Sequence, residues 1–277
     1  MAKPVRDLLR ARPVDGAFAL AGVDPRATPG AKSRKRAARD LAGVAEALAS
    51  LQERLYASRD RSLLLVLQGM DTSGKDGVVK HVVGAMNPVG TAITSFRAPT
   101  EAEARHHFLW RIRKGLPVPG QVAIFNRSHY EDVGIVRVHG LVPPDVIERR
   151  YAEIDRFERR VAESGTTVVK CWLHLSYDEQ RERLLARLDD PAKRWKFSER
   201  DVAERAHWAE YMAAYETAIA RCSTDAAPWY VVPADRKWYR DWAVARILVE
   251  TLEQMDPRYP EPPLDVETLR ARLAPPG

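Results

Sequence analysis

The sequence predicts an α/β fold in which one parallel sheet carries helices on both faces. Three observations carry that prediction. A short, continuously apolar run at 62–67 suits a strand buried on both faces, and runs at 122–125 and 166–175 repeat the theme. Stretches with apolar residues at three- and four-residue steps fall between them, the spacing of amphipathic helices. A glycine loop, Gly69-Met70-Asp71-Thr72-Ser73-Gly74-Lys75, joins the first apolar run to one of those helices. Strand alternating with helix is the order a parallel sheet requires, because each parallel pair needs a long crossover.

From the N-terminus, Pro4, Pro13, Pro25 and Pro29 predict an extended arm with little regular structure. Leu41, Val44, Leu48, Leu51 and Leu55 then mark a helix over 31–57 with one buried stripe. The strand at 62–67 leads into the glycine loop and a helix from Lys75 through Met86. Phe96-Arg97-Ala98-Pro99-Thr100 closes a further strand, and Thr100 with Glu103 forms a capping box for a helix reaching Lys114. After the strand at 122–125 come helices over 144–164, 177–188 and 198–221, with the strand at 166–175 between the first two. Ser198 and Asp201 suggest a second capping box. A last β-rich run, Trp229–Pro233, completes the sheet. We divide the chain into an arm and helix (1–57), a core (58–255) with a lid around 189–212, and a tail (256–277).

With 277 residues, 45% of them hydrophobic, the chain can build a large core without covalent staples. Cys171 and Cys222 are the only cysteines and lie far apart in sequence, which argues against a disulfide framework or structural zinc. No apolar run is long enough to cross a bilayer, and Asp7 and Asp15 interrupt the early cations before any signal-like core. A cytoplasmic protein without membrane contact is expected. The 44 Lys+Arg against 38 Asp+Glu give +6, a modest excess compatible with a polyanionic partner.

The glycine loop carries the chemistry. Gly69 and Gly74 let backbone N–H groups converge on phosphate oxygens, Lys75 adds a full charge, and the following helix aims its positive end at the same place. Asp76 stands where the usual hydroxyl residue would follow the lysine, and Asp71 lies inside the loop. Two carboxylates at an anion site call for a divalent cation between them and the phosphates. Mg²⁺ is expected, with Mn²⁺ as the alternative, and Asp71 calls for a metal or a reacting group beside it. The strand at 122–125 ends in Asn126-Arg127-Ser128-His129-Tyr130-Glu131-Asp132, too polar a run for a simple turn. Arg127 offers a planar fork to an oxyanion. Arg97 and Arg111 are further candidates, whereas adjacent His106 and His107 diverge too far on a helix to share a metal. Lys193, Arg194 and Lys196, interleaved with Trp195 and Phe197, suit a lid that folds over phosphates, or a surface loop anchored by the two aromatic residues with its cations solvated.

These segments together resemble the family-2 polyphosphate kinases, particularly the branch acting on nucleoside mono- and diphosphates. The resemblance runs from about Phe18 to beyond Trp238. It includes Gln68 through Gly77, Ala98-Pro99-Thr100, Phe108-Leu109-Trp110-Arg111, Phe125 through Val133, Arg194 through Ser198, and Pro228 through Asp235. It implies a three-layer α/β/α P-loop kinase fold with a helical lid. It also implies Mg²⁺-dependent transfer between inorganic polyphosphate and adenine or guanine nucleotides, and a homo-oligomer, dimer or tetramer. Asp71, Lys75, Arg127 and Asn126 would act at the reacting phosphates, Asp71 by holding metal or poising the accepting phosphate. Gly69, Met70, Thr72, Ser73, Gly74, Asp76, Gly77, Lys80, Arg97, Arg111, Ser128, Glu131 and Asp132 would line the phosphate and nucleotide sites. The family often has Asp-Arg-Ser where this chain has Asn126-Arg127-Ser128, and His-Asp where it has His106-His107. An ATP-dependent small-molecule kinase and a non-catalytic nucleotide switch share the loop; no nucleic-acid reader motif is present.

Overall fold

A computed structural model describes residues 3–273; Met1, Ala2 and residues 274–277, which belong to the expected arm and tail, lie outside the described residues. The chain begins with a short helix, α1 (Val5–Leu9), followed by the long α2 (Arg34–Ser58), which Ser33 caps through its side chain. Then come β1 (Ser62–Gln68), the glycine loop, α3 (Lys75–His81), β2 (Thr91–Ser95), α4 (Glu101–Ala104) and α5 (Leu109–Lys114). Next are β3 (Val122–Asn126), α6 (Ile135–Val138), α7 (Pro144–Glu163), β4 (Thr166–His174) and α8 (Tyr177–Asp189). The chain continues through α9 (Glu199–Ala206), α10 (Trp208–Cys222), β5 (Trp229–Pro233), α11 (Lys237–Met255) and α12 (Val266–Arg272).

All five strands are parallel, in the order β2-β3-β1-β4-β5. The uninterrupted apolar sequence of β1 follows from its central position, since both of its faces are covered. Leu63, Leu65 and Leu67 pack with α2, α3 and α11 on one side; Leu64 and Val66 pack with α5, α7 and α10 on the other. The result is the three-layer arrangement expected. β5 is an edge strand, and the N-terminal arm covers it: Arg10 bridges Tyr230 antiparallel, and the Ala11 N–H donates to the Trp229 carbonyl at 2.8 Å. Strand order reverses about β1, which is flanked by β3 and β4. A crevice therefore opens beyond the carboxyl ends of these strands, where the glycine loop lies.

The structure departs from the sequence expectations in five places. The arm is not irregular throughout: α1 forms, and the Glu250 carboxylate accepts from the N–H groups of Val5 and Arg6 at its start. The helix after the loop ends at His81 and gives way to a 3-10 turn at Val83–Ala85. The expected helix over 100–114 is broken into α4 and α5, although the Thr100–Glu103 capping box is present in full. The expected helix over 198–221 is broken at His207, and Ser198 caps α9 without a return bond from Asp201, whose carboxylate faces Arg187 at 3.5 Å. Finally α11, absent from the sequence reading, is buried on most of its circumference and braces the loop from below.

Candidate active site

The loop between β1 and α3 takes conformations that demand its glycines. Gly74 has φ +103°, and a Cβ there would lie 1.7 Å from Arg240 Nη1. Thr72, which is not glycine, is also held at φ +65°. The Oγ atoms of Thr72 and Ser73 are buried without a protein hydrogen-bond partner, a cost that a ligand with many acceptor oxygens would remove. Lys75 is 8% exposed, and its ammonium donates to the carbonyls of Gly69 (2.7 Å) and Met70 (3.3 Å). Burial, and then Arg127 nearby, lower its pKa from the ordinary lysine value.

The end of β3 meets this loop directly. Arg127 sits at φ +65°, a strained conformation for a side-chain-bearing residue, and donates to Asp71 Oδ1 at 2.9 Å. Its other terminal nitrogen lies 3.6 Å from Glu131. Burial opposes its charge, but Glu131 and Asp71 outweigh burial and raise its pKa. Asn126 donates from Nδ2 to Asp76 Oδ1 at 2.8 Å, so both acids of the loop are engaged by the strand-end motif. Ser128 is buried and accepts from the Tyr130 N–H, capping the turn that places Glu131 and Asp132. Burial raises the pKa of Asp132 against the opposing pull of Arg150 and Arg111.

Two chambers meet at Asp71, Arg97, Ala98 and Arg127. The first, about 670 Å³, is lined by nine lysines and arginines against Asp71 and Asp76, so it is strongly cationic. It contains Thr72, Gly74, Lys75, Gly77, Asn126 and, from the segment between α8 and α9, Lys193 and Lys196. The second, about 410 Å³, holds Gly69, Met70, Arg111, Glu131 and Asp132, together with Ile135, Val136, Leu141, Tyr211 and Tyr215. Ser73, Lys80, Ser128 and Arg194 line neither chamber: Ser73 and Ser128 are buried, Lys80 is exposed on α3, and the Arg194 guanidinium donates to the Leu188 carbonyl. His106 and His107 part ways, the first stacked on Trp110 and the second paired with Glu153 at 2.9 Å.

Sequence reasoning missed two arginines that support the loop. Arg183 of α8 donates to the carbonyls of Thr72 (2.9 Å) and Ser73 (3.3 Å), and also to those of Ala234 and Asp235. Arg240 of α11 lies against Gly74 and Gly77, with Asp241 Oδ1 holding its guanidinium at 2.7 and 2.9 Å. Both line the cationic chamber, as do Arg187 and Lys237. Nothing in their local sequence separates them from arginines on a solvated helix face.

A polyanion gripped by the first chamber would present its end to an acceptor in the second, with Arg127 at the junction. This geometry defines a P-loop phosphotransferase. Residues 31–260 match the family Polyphosphate kinase 2 (PPK2), and the chain belongs to that family. It is 49% identical over 249 residues to an AMP/ADP-polyphosphate phosphotransferase of Meiothermus ruber, covering 90% of this chain and 93% of the relative. It is 44% identical over 232 residues to an ADP-polyphosphate phosphotransferase of Rhodopseudomonas palustris, covering 78% and 79%. The crystal structure of polyphosphate kinase 2 from Arthrobacter aurescens TC1 superposes with a TM-score of 0.94 at 49% identity, over 98% of this chain and 96% of that one.

Proposed function

We propose that this enzyme moves the terminal phosphoryl group of inorganic polyphosphate to AMP and/or ADP, giving ADP and ATP, with the corresponding guanine nucleotides as the alternative acceptors. The observation that carries this reading is the asymmetry of the chambers. The cationic chamber is lined by nine lysines and arginines with Phe96, Ala98 and Ala186 as its only apolar side chains, which suits a base-free polyanion, whereas the second gathers Met70, Ile135, Val136, Leu141, Tyr211 and Tyr215 into a wall that can cover a nucleoside. An ATP-dependent kinase would need a base pocket on the donor side as well. The names of the similar phosphotransferases support the same pairing of substrates.

In the reaction a terminal oxygen of the nucleotide attacks the end phosphorus of the polymer. The adjacent P–O–P bond breaks, and the electron pair stays on the shortened chain. Positioning and charge neutralisation do most of the work in such a transfer. Lys75 and the loop N–H groups hold the donor end, Arg127 faces the charge that develops between donor and acceptor, and Lys193 and Lys196 close over the chain from the lid. Asp71 and Asp76 fit a Mg²⁺ ion, or Mn²⁺ in its place. Mg²⁺ takes one or two carboxylates and completes its shell with water and substrate phosphates, and no group of three or more metal-binding side chains gathers among the described residues. When bound, the ion would neutralise phosphate charge. Residues 58–255 would then be the catalytic core, with the lid around 189–212.

No helix among the described residues is long and apolar enough to cross a membrane. A cytoplasmic homo-oligomer, dimer or tetramer, is proposed from the family resemblance, and light scattering of the purified protein checks the assembly. Donor exchange tests the function: AMP supplied with polyphosphate and Mg²⁺ should be phosphorylated efficiently, and replacing polyphosphate with ATP should nearly stop ADP formation. Equal or faster phosphorylation from ATP would refute the assignment.

A further inference from the structure

Away from the two chambers, a groove of about 750 Å³ runs between α5 and α7. Leu109, Leu116, Phe157 and Val161 line it together with three exposed arginines, Arg113, Arg156 and Arg160. These arginines stand apart from their neighbours on the same two helices. Arg111 pairs with Glu103, Arg149 with Asp145, Arg150 with Asp132 and Arg159 with Asp155, yet none of the three has a carboxylate partner among the described residues. The acid in the groove, Glu153, is already taken by His107. Arg156 and Arg160 are also four residues apart on one helix, a like-charge spacing that opposes the helix unless an anion lies between them.

We propose that this groove is an accessory site for condensed phosphate, which anchors a distal stretch of a polymer whose end is reacting in the cationic chamber. The proposal rests on polyphosphate being the donor. From Glu153 to Ser164 the α7 side of the groove spans about 16 Å at the helical rise, enough for several successive phosphates to pass the three guanidinium groups. Only a chain long enough to reach from one site to the other gains from the second contact, because the first holds it at high local concentration. The groove therefore confers a preference for long chains without altering the chemical step.

The test compares long-chain polyphosphate with tripolyphosphate as donors at saturating nucleotide, using wild type, Arg113→Ala/Arg156→Ala/Arg160→Ala and the corresponding triple Arg→Lys variant. An exposed ion contact is worth roughly a 1.5- to 5-fold change in affinity, so the alanine variant should raise KM for the long chain about tenfold. KM for tripolyphosphate and for nucleotide, and kcat, should stay as in wild type. The lysine variant should keep most of the long-chain affinity. The salt dependence of log KM for the long chain should become shallower by roughly 2. An unchanged long-chain KM, or an equal rise for both donors, overturns the proposal. Failure of wild type to use any polyphosphate would remove the donor assignment and the groove proposal together, so the two failures are told apart.

Discussion

Replacing Lys170 by Met tests how the core holds the strand-end motif in place. Lys170 on β4 is fully buried; its ammonium contacts Glu158 Oε2 at 2.5 Å and donates to the Tyr130 hydroxyl (2.8 Å) and the Cys222 carbonyl (2.7 Å). Glu158 Oε1 takes the Tyr130 hydroxyl at 2.9 Å and faces His129 Nε2 at 3.1 Å. One buried charge pair thus anchors the residues that follow Arg127, helix α7 and the end of α10. Burial works against the Glu158 carboxylate, but Lys170 and His129 hold its pKa below the ordinary value. Removing the ammonium leaves that carboxylate buried without its main partner, which costs about 3–5 kcal/mol. In a chain of this length the loss corresponds to a fall in Tm of about 5–10 °C.

Adding Glu158→Gln removes the second charge while keeping an acceptor for Tyr130 and His129, so at least half of the lost stability should return. The pH dependence has a definite sign. In wild type the folded pKa of Glu158 is depressed, so its contribution is present above the unfolded carboxylate range and is lost as pH falls through the folded value. In Lys170→Met burial dominates and raises that pKa, so the carboxyl becomes neutral at mildly acidic pH and the penalty shrinks. Thermal unfolding at about pH 8 and about pH 5.5 should show the gap from wild type narrowing on acidification. A single variant within 2 °C of wild type by the same conversion, or a double variant as unstable as the single, would refute the argument.

Lys75→Met should lower kcat by roughly 10²–10³, the usual cost of removing one donor to developing charge, with Tm nearly unchanged. Because burial lowers the pKa of Lys75, kcat/KM for polyphosphate should decline on the alkaline side at a lower pH than an ordinary lysine would give, and Lys75→Met should abolish that limb. A limb that survives in the variant would place the titration elsewhere. Chelation by EDTA should stop turnover, and Asp71→Asn should both lower kcat and raise the Mg²⁺ concentration for half-maximal rate; an unchanged Mg²⁺ requirement would count against Asp71 as the metal-holding residue. Gly74→Ala puts a Cβ into the Arg240 guanidinium at a positive φ, a strain of about 1–3 kcal/mol before the clash is counted. Arg240→Ala should cost less stability in the Gly74→Ala background than in wild type, as read by urea midpoints, and an equal cost in both backgrounds would mean that Arg240 is not the obstacle.

The sequence made the centre of the molecule legible because burial on both faces leaves an unbroken apolar run, as in Leu63–Leu67, and because a phosphate loop needs glycines at fixed positions. The polar end of β3 was legible for a related reason: no simple turn calls for Asn126 through Asp132. Helix interruptions were less visible. Between Ala104 and Leu109, and at His207, the residues are compatible with helix, and the breaks lie beside long-range contacts, His107 with Glu153 and His139 with Glu204, that local sequence does not announce. Arg183 and Arg240 were illegible because their role depends on which helix passes under the loop. The +65° φ of Arg127, held while Asp71 and Glu131 engage its side chain, likewise has no local signature.

The central claim is direct transfer from a base-free donor, and one measurement reaches it most directly. ADP, long-chain polyphosphate and Mg²⁺ are incubated with the enzyme in the absence of ATP, while ATP, orthophosphate and the remaining polymer phosphate are quantified together. Each ATP formed should match one phosphate lost from the polymer, with no orthophosphate released and with Asp71→Asn nearly inactive. Orthophosphate release without ATP, or no consumption of polymer, would contradict it.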